Sequence, residues 1–222
     1  DYYYEEIRKY LYNKYGKSKL YSDGLIVKSS INSELQNLAD ESLIEGLIKY
    51  DRGLGWRGPL QNEKISIFKN NIELYNKMNP FENKWFPAII TKVDDNYFII
   101  NNHLNENYQV NLNIEDNKWL LKEQFTIGDV IFVEKKIDEY IVRQIPEANG
   151  GIVVMNPHNG DVLALSGGFS FKISEFNRAT QAQRQPGSAF KPFVYALALE
   201  NNYTPSTLIL DAPIVLDQGE DL

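Results

Sequence analysis

Residues 176–195 read FNRATQAQRQPGSAFKPFVY, and this stretch holds the strongest structural signal of the chain. Pro186 and Gly187 break the preceding segment, and a helix is predicted to begin at Ser188. Pro192 fits the first turn of that helix, where no amide donor is required. Lys191 follows Ser188 by three residues, so both side chains are expected on one helical face. The apolar residues after this point recur with helical spacing, at Phe190, Phe193, Val194, Leu197 and Ala198.

A serine and a lysine in this arrangement have chemical meaning. A serine hydroxyl is a weak nucleophile at neutral pH, and a neutral lysine amine can activate it as a general base. The pKa of a free lysine is about 10.4, so making its neutral form dominant near neutral pH costs roughly 4–5 kcal/mol. Burial and a second cation nearby can supply that shift. We therefore interpret Ser188 as a candidate acylated nucleophile and Lys191 as its candidate general base.

The four-residue spacing is not specific by itself, because Ser66-Ile67-Phe68-Lys69 repeats it. No chain break precedes Ser66, so we interpret that copy as part of an ordinary helix. His103 and His158 lie in predicted loops and offer few options for a Ser-His-Asp triad. The acidic pairs 94–95 and 115–116 fall in predicted turns, which collect such residues without any catalytic role.

The stretch 176–195 resembles the nucleophile segment of class A penicillin-binding proteins, the bifunctional enzymes that polymerise and cross-link peptidoglycan. The segment GIVVMNPHNGDVLALSGG at 151–168 is also similar to that family, and so is GLIVKSSIN at 24–32. Shorter matches occur at 50–52 and 56–59. The resemblance covers most of the chain and is most specific around Ser188.

The resemblance implies a D,D-transpeptidase or carboxypeptidase in which Ser188 attacks the D-Ala-D-Ala bond of a stem peptide and Lys191 is the general base. β-Lactams would be trapped on the same serine, and no metal or cofactor would be needed. The family's Ser-x-Asn and Lys-Thr/Ser-Gly motifs do not follow Ser188 in this chain. Ser30-Ile31-Asn32 matches Ser-x-Asn by letters only, because it lies far upstream in a predicted strand. We therefore expect the chain alone to be inactive.

The family's membrane anchor and glycosyltransferase domain are expected upstream of this chain. Under that reading the parent protein lies at the periplasmic face of the cytoplasmic membrane, anchored by a helix that this chain lacks. No apolar run approaches the roughly 20 residues of a membrane span. The 222 residues are 43% hydrophobic and carry a net charge of −7, which supports a real core and argues against a nucleic-acid surface. The absence of cysteine excludes disulfides and thiolate sites.

Helical periodicity predicts three helices in the first part of the chain. The first ends at Gly16, the second runs from an N-cap at Ser33 to the glycines at 53 and 55, and the third covers 64–77. A strand is predicted between the first two, over 24–31. After residue 84 the period changes to alternation, with strands at 85–93, 97–101, 108–114, 125–133 and 139–145.

Five short strands within about sixty residues suggest a small OB-type barrel. Such an insert also occurs in some Gram-negative class A penicillin-binding proteins. Residues 84–146 contain seven Lys/Arg against ten Asp/Glu, which opposes nucleic-acid binding by the barrel. Two further apolar strands, 152–155 and 162–165, are predicted to form a hairpin buried on both faces and covered by helices, including the one that begins at Ser188.

The predicted fold class is α+β: an incomplete serine transpeptidase domain, similar to penicillin-binding proteins and β-lactamases, with the barrel inserted. The predicted divisions are a transpeptidase segment at 1–58, a helical connector at 59–83, the barrel at 84–146 and the nucleophile region at 147–222. Two alternatives remain open. The chain could be a binding module that docks a cell-wall accessory protein through the barrel, or a serine hydrolase of the β-lactamase type.

Overall fold

A computed structural model describes residues 1–213 of the chain. They form two compact units, one covering Asp1–Ala182 and the other beginning at Gln183. Among the described helices, none has both the length and the apolar character needed to cross a membrane.

The first unit opens with two long helices, α1 (Tyr2–Ser22) and α2 (Ser33–Gly53). Gly16 interrupts α1 with φ 77° and ψ 170°, as the predicted stop at this residue requires. The strand predicted over 24–31 is wrong as an assignment, because this extended segment pairs with no strand in the described chain. The predicted N-cap of α2 is also wrong by one residue: Asn32 accepts from the amides of Glu34 and Leu35, each at 3.0 Å.

A short strand and two short helices follow: β1 (Gln61–Asn62), α3 (Ile65–Asn70) and α4 (Ile72–Met78). The single helix predicted over 64–77 is thus broken, at Asn71, where φ is −97° and ψ is 9°. Phe68 of α3 and Tyr75 of α4 pack in one apolar cluster with Ile89 and Val130. Packing against the neighbouring sheet therefore outweighs the helical periodicity of the segment.

The five strands predicted for 84–146 are confirmed, as β2 (Trp85–Val93), β3 (Tyr97–Asn101), β4 (Asn107–Asn111), β5 (Asp129–Lys136) and β6 (Glu139–Arg143). They form an antiparallel sheet in the order β6-β5-β2-β3-β4, and β1 also pairs with β5. Alternate residues face one shared core, which contains Ala88, Ile90, Phe98, Ile100, Val110, Leu120, Ile131, Val133 and Val142.

The predicted OB-like barrel is not confirmed, because no closed barrel is found in the described chain. The end strands β4 and β6 do not pair with each other. The buried side chain of Asn117 joins them instead: its Nδ2 donates to Asn111 O and Tyr140 O, both at 2.9 Å, and its Oδ1 accepts from Val142 N at 3.0 Å. The side-chain amide of Asn117 thus takes the place of the backbone hydrogen bonds that would close the sheet into a barrel.

The predicted hairpin is confirmed as β7 (Ile152–Met155) paired with β8 (Val162–Ser166). Burial on both faces is found for the end of β8 but not for β7, where Val153 and Met155 are 45% and 55% exposed. Helix α2 covers β8 through the buried side chain of Gln36. Its Nε2 donates to Leu165 O at 3.1 Å, and its Oε1 accepts from Leu165 N at 2.9 Å.

A buried carboxylate ties the end of α2 to the segment after β6. Asp51 is 1% exposed and accepts hydrogen bonds from Arg57 at 2.8 and 3.1 Å, Gln144 at 2.7 Å and the Glu147 amide at 3.2 Å. The helical region and the five-stranded sheet are therefore joined by a satisfied ionic network within the first unit.

Candidate active site

Ser188 and Lys191 lie at the start of the helix of the second unit. Residues Gly187–Phe190 form a 3₁₀ turn, and α5 (Lys191–Glu200) continues from it. The amide of Lys191 donates to the carbonyl of Ser188, which is the i to i+3 bond of this turn. Residues three apart in a 3₁₀ turn are eclipsed, so the serine and the lysine leave the backbone on the same side.

The local sequence explains this turn. Gly187 has φ 53°, a left-handed conformation that glycine adopts without strain. Pro186, with φ −69°, begins the turn, and Pro192 occupies the first turn of α5. The helix begins at Lys191 and not at Ser188 as predicted, because the 3₁₀ turn comes first. The predicted placement on one face is confirmed by the backbone.

Ser188 and Lys191 are both exposed to solvent. No side chain of α5 is buried within the described chain, and its large apolar residues are more than half exposed. The helix is apolar on most of its circumference, as expected of a helix that is normally covered on several sides. The five large apolar side chains of α5 are Phe193, Val194, Tyr195, Leu197 and Leu199, and Phe190 in the preceding turn is also exposed.

The residues just before this turn belong to the first unit and are fixed by Asn177. This side chain is 1% exposed; its Nδ2 donates to Glu6 at 3.1 Å and its Oδ1 accepts from Ala179 N at 3.1 Å. Gly167 packs directly on it, since a Cβ there would lie 2.2 Å from Asn177 Oδ1. Asn177 was not among the predicted site residues. The available signal was a polar residue between the glycines that follow β8 and the turn that precedes α5.

The rival serine motifs have structural roles. Ser30 Oγ donates to Val162 O at 2.9 Å and Asn32 caps α2, so this Ser-x-Asn lies in the packing between a loop and β8. Ser66 is exposed on the six-residue α3, and Lys69 donates to the side chain of Asn105. Neither motif lies in the second unit with Ser188.

The other candidate groups are also accounted for. His103 and His158 are exposed in loops. Of the acidic pairs, Asp94 accepts from the Asp95 amide at 2.9 Å, and Glu115 pairs with Lys118 at 2.7 Å. No group of three His, Asp or Glu side chains within residues 1–213 is placed to hold a metal ion.

Comparison with known proteins agrees with the motif analysis. Residues 150–221 match the family described as penicillin binding protein transpeptidase domain. Penicillin-binding protein 1A of Rickettsia prowazekii is 40% identical over 99% of this chain, and that of Pseudomonas aeruginosa is 33% identical over 95%. The chain spans 28% and 27% of the lengths of these two proteins.

A solved structure shows the same relationship in three dimensions. The 2.6 Å crystal structure of penicillin-binding protein 1A from Haemophilus influenzae superimposes with a TM-score of 0.81 and 30% sequence identity. The match covers 100% of this chain and 34% of that protein. The chain is therefore homologous to part of penicillin-binding protein 1A over nearly its whole length, and its residues 150–221 match the transpeptidase domain.

Proposed function

We propose that Ser188 is the nucleophile of a D,D-transpeptidase that cross-links peptidoglycan, and that Lys191 is its general base. The observation that supports this assignment is the 3₁₀ turn at the start of α5. The spacing of three residues across this turn supports a serine and a lysine on one side of the backbone, and both residues are exposed to solvent. The family description and the names of the relatives support penicillin binding and transpeptidation, and the resemblance implies a peptidoglycan stem peptide as the substrate.

The proposed reaction has two steps. Ser188 Oγ attacks the carbonyl carbon of the penultimate D-Ala while Lys191 takes the hydroxyl proton. The peptide bond breaks, the proton passes to the departing D-Ala amine, and an ester on Ser188 remains. An amine of a neighbouring stem peptide then attacks this ester, which forms the cross-link and returns the proton to Ser188. A β-lactam ring would acylate the same oxygen.

The 222-residue chain on its own is proposed to be a poor catalyst. Lys191 is exposed to solvent in the described structure, so residues 1–213 do not provide the burial that helps a lysine to act as a base. One oxyanion donor would be the Ser188 amide, and the resembled family takes the other from a Lys-Thr/Ser-Gly strand. Loss of one such donor lowers a rate by about 10²–10³-fold.

The whole protein is proposed to be a bifunctional cell-wall synthase that is anchored in the cytoplasmic membrane and acts on its periplasmic side. Its glycosyltransferase domain would lie outside this chain. This proposal rests on the relatives, of which the chain covers less than a third.

We also propose that residues 84–146 are an OB-like insert that docks a cell-wall accessory protein. The five antiparallel strands in the order β6-β5-β2-β3-β4 support the first half of this proposal, because an OB fold is a five-stranded, partly open barrel. If the chain were only such a binding module, replacing Ser188 would leave the function of the protein intact.

Covalent labelling of the full-length protein with a fluorescent penicillin tests the assignment. Ser188→Ala should abolish the labelled band and Lys191→Ala should strongly reduce it, whereas the matched control Ser66→Ala should label normally. A labelled Ser188→Ala protein would refute the nucleophile. An adduct that hydrolyses within seconds would favour the β-lactamase alternative, and a stoichiometric adduct on the isolated chain would refute its proposed inactivity.

A further inference from the structure

A cleft lies between α2 and the five-stranded sheet, inside the first unit and separate from Ser188. Its volume is about 600 Å³, which is in the range of small-molecule sites. Ile48 of α2 and Phe81 and Trp85 beside the sheet give it an apolar surface. Five lysine or arginine side chains and four carboxylates also line it, an excess of positive charge in a chain whose net charge is −7.

Two arginines are held in this cleft by aromatic rings. Arg143 is 7% exposed, and its Cζ lies 5.9 Å from the ring centroid of Trp85. The Cζ of Arg52 lies 5.6 Å from the ring centroid of Trp119. At these distances each ring attracts the guanidinium through its π-face, which helps to hold the arginine in the cleft.

The carboxylates present do not satisfy both arginines. Arg143 places its Nε and Nη2 on a single oxygen, Glu134 Oε2, at 2.7 and 2.5 Å. Arg52 reaches only Asp116, at 3.2 Å, and Lys136 shares that carboxylate at 3.3 Å. The buried Nη2 of Arg52 has no hydrogen-bond partner within the described chain, which is a costly state for a charged donor.

The electrostatics around Arg52 agree with this geometry. Burial lowers the pKa of Arg52, and the positive charge of Arg143 lowers it further, while Asp116 and Glu134 act in the opposite direction. The pKa of this guanidinium still remains below its ordinary value. A further anion near the two arginines would therefore relieve both the desolvation and the repulsion.

We propose that this cleft binds the carboxylate of a small peptide-like ligand, with Arg52 and Arg143 facing the anion and the apolar surface taking the adjacent side chain. A carboxylate matches the planar donors of arginine. The apolar lining next to the charges favours an organic acid over an inorganic ion. The site is distinct from the proposed nucleophile, since all its residues belong to the first unit.

The probe is acetyl-alanyl-alanine, titrated into the whole chain while the indole NMR signals of Trp85 and Trp119 are followed. We expect saturable shifts with a Kd of about 1 mM or lower. The C-terminal amide of the same peptide should bind at least about tenfold more weakly, since it lacks the charge. Ser188→Ala should leave binding unchanged, which separates this cleft from the acylation site.

Arg52→Gln should weaken binding of the acid at least about tenfold, and the exposed Lys92→Gln should not change it. If Arg52→Gln proves unfolded by circular dichroism, Lys49→Gln replaces it, because Lys49 is an exposed cation of the same cleft. Three results would overturn the proposal: equal binding of acid and amide, unchanged binding by the folded variant, or shifts produced by inorganic phosphate but not by the peptide acid.

Discussion

Replacing Asn117 by alanine should destabilise the first unit strongly. The Asn117 side chain is fully buried, and its loss leaves the amide of Val142 and the carbonyls of Asn111 and Tyr140 without that partner. The unsatisfied amide of Val142 costs about 1–3 kcal/mol, and each of the two partly buried carbonyls, of Asn111 and Tyr140, adds roughly 0.5–1.5 kcal/mol. The expected loss in free energy of unfolding is therefore about 2–6 kcal/mol.

Urea unfolding followed by tryptophan fluorescence measures this loss, because Trp56 and Trp119 pack against the core of the sheet. Asn113→Ala is the matched control, since that exposed asparagine lies in the same loop and should change stability by less than about 0.5 kcal/mol. Asn117→Asp keeps the volume but removes both donors, and it should cost at least as much as alanine. A loss below about 1 kcal/mol for Asn117→Ala would refute the bridging role of this amide.

Three further predictions concern the same unit. Asp51→Ala should lower the free energy of unfolding by about 3–5 kcal/mol, because it removes the buried carboxylate that pairs with Arg57. Thermal or urea unfolding measures this loss, and Asp94→Ala on the surface, the control, should be nearly neutral. Gln36→Leu should cost roughly 2–3 kcal/mol through the two unsatisfied backbone groups of Leu165, and Asn37→Leu on the exposed side of α2 serves as its control in the same unfolding assay. The hydrogen bond to Glu106 raises the pKa of Tyr108 to about 12, so Tyr108 should stay protonated as pH rises past the ordinary tyrosine range. Glu106→Gln should shift that titration to lower pH, as seen by phenolate absorbance relative to Tyr108→Phe, and an unchanged titration would contradict the assignment.

The sequence was most informative where periodicity and turn chemistry agree. The strands β2, β3, β5 and β6 and the hairpin of β7 and β8 were predicted because alternation, or a short apolar run, ends at clear turn residues. A helix start near Ser188 was predicted from the proline and glycine placed just before an apolar helical stripe, but the 3₁₀ turn at Gly187–Phe190 that precedes α5 was not predicted. The roles of Ser188 and Lys191 came from the resemblance and remain predictions.

Two of the failures have a common physical origin, which is that side chains replaced backbone pairing. Residues 24–31 have the composition of a strand, but the neighbouring edge of β8 is already used by side chains such as Ser30 and Gln36. The barrel is not closed because Asn117 occupies the gap between β4 and β6. Such long-range partners leave no periodic trace in a single sequence.

The amide of Gln36 has a consequence for how the β7–β8 hairpin can be enlarged. In an antiparallel strand the N–H and C=O of one residue point to the same edge, and at Leu165 both are taken by this side chain. Two residues earlier, the carbonyl of Leu163 accepts the Asn32 amide at 2.8 Å. The β8 edge of the hairpin is thus blocked, and any additional strand must pair with β7. A further strand can therefore be added on one side of this sheet only, and the side chain of Gln36 on α2 determines which side.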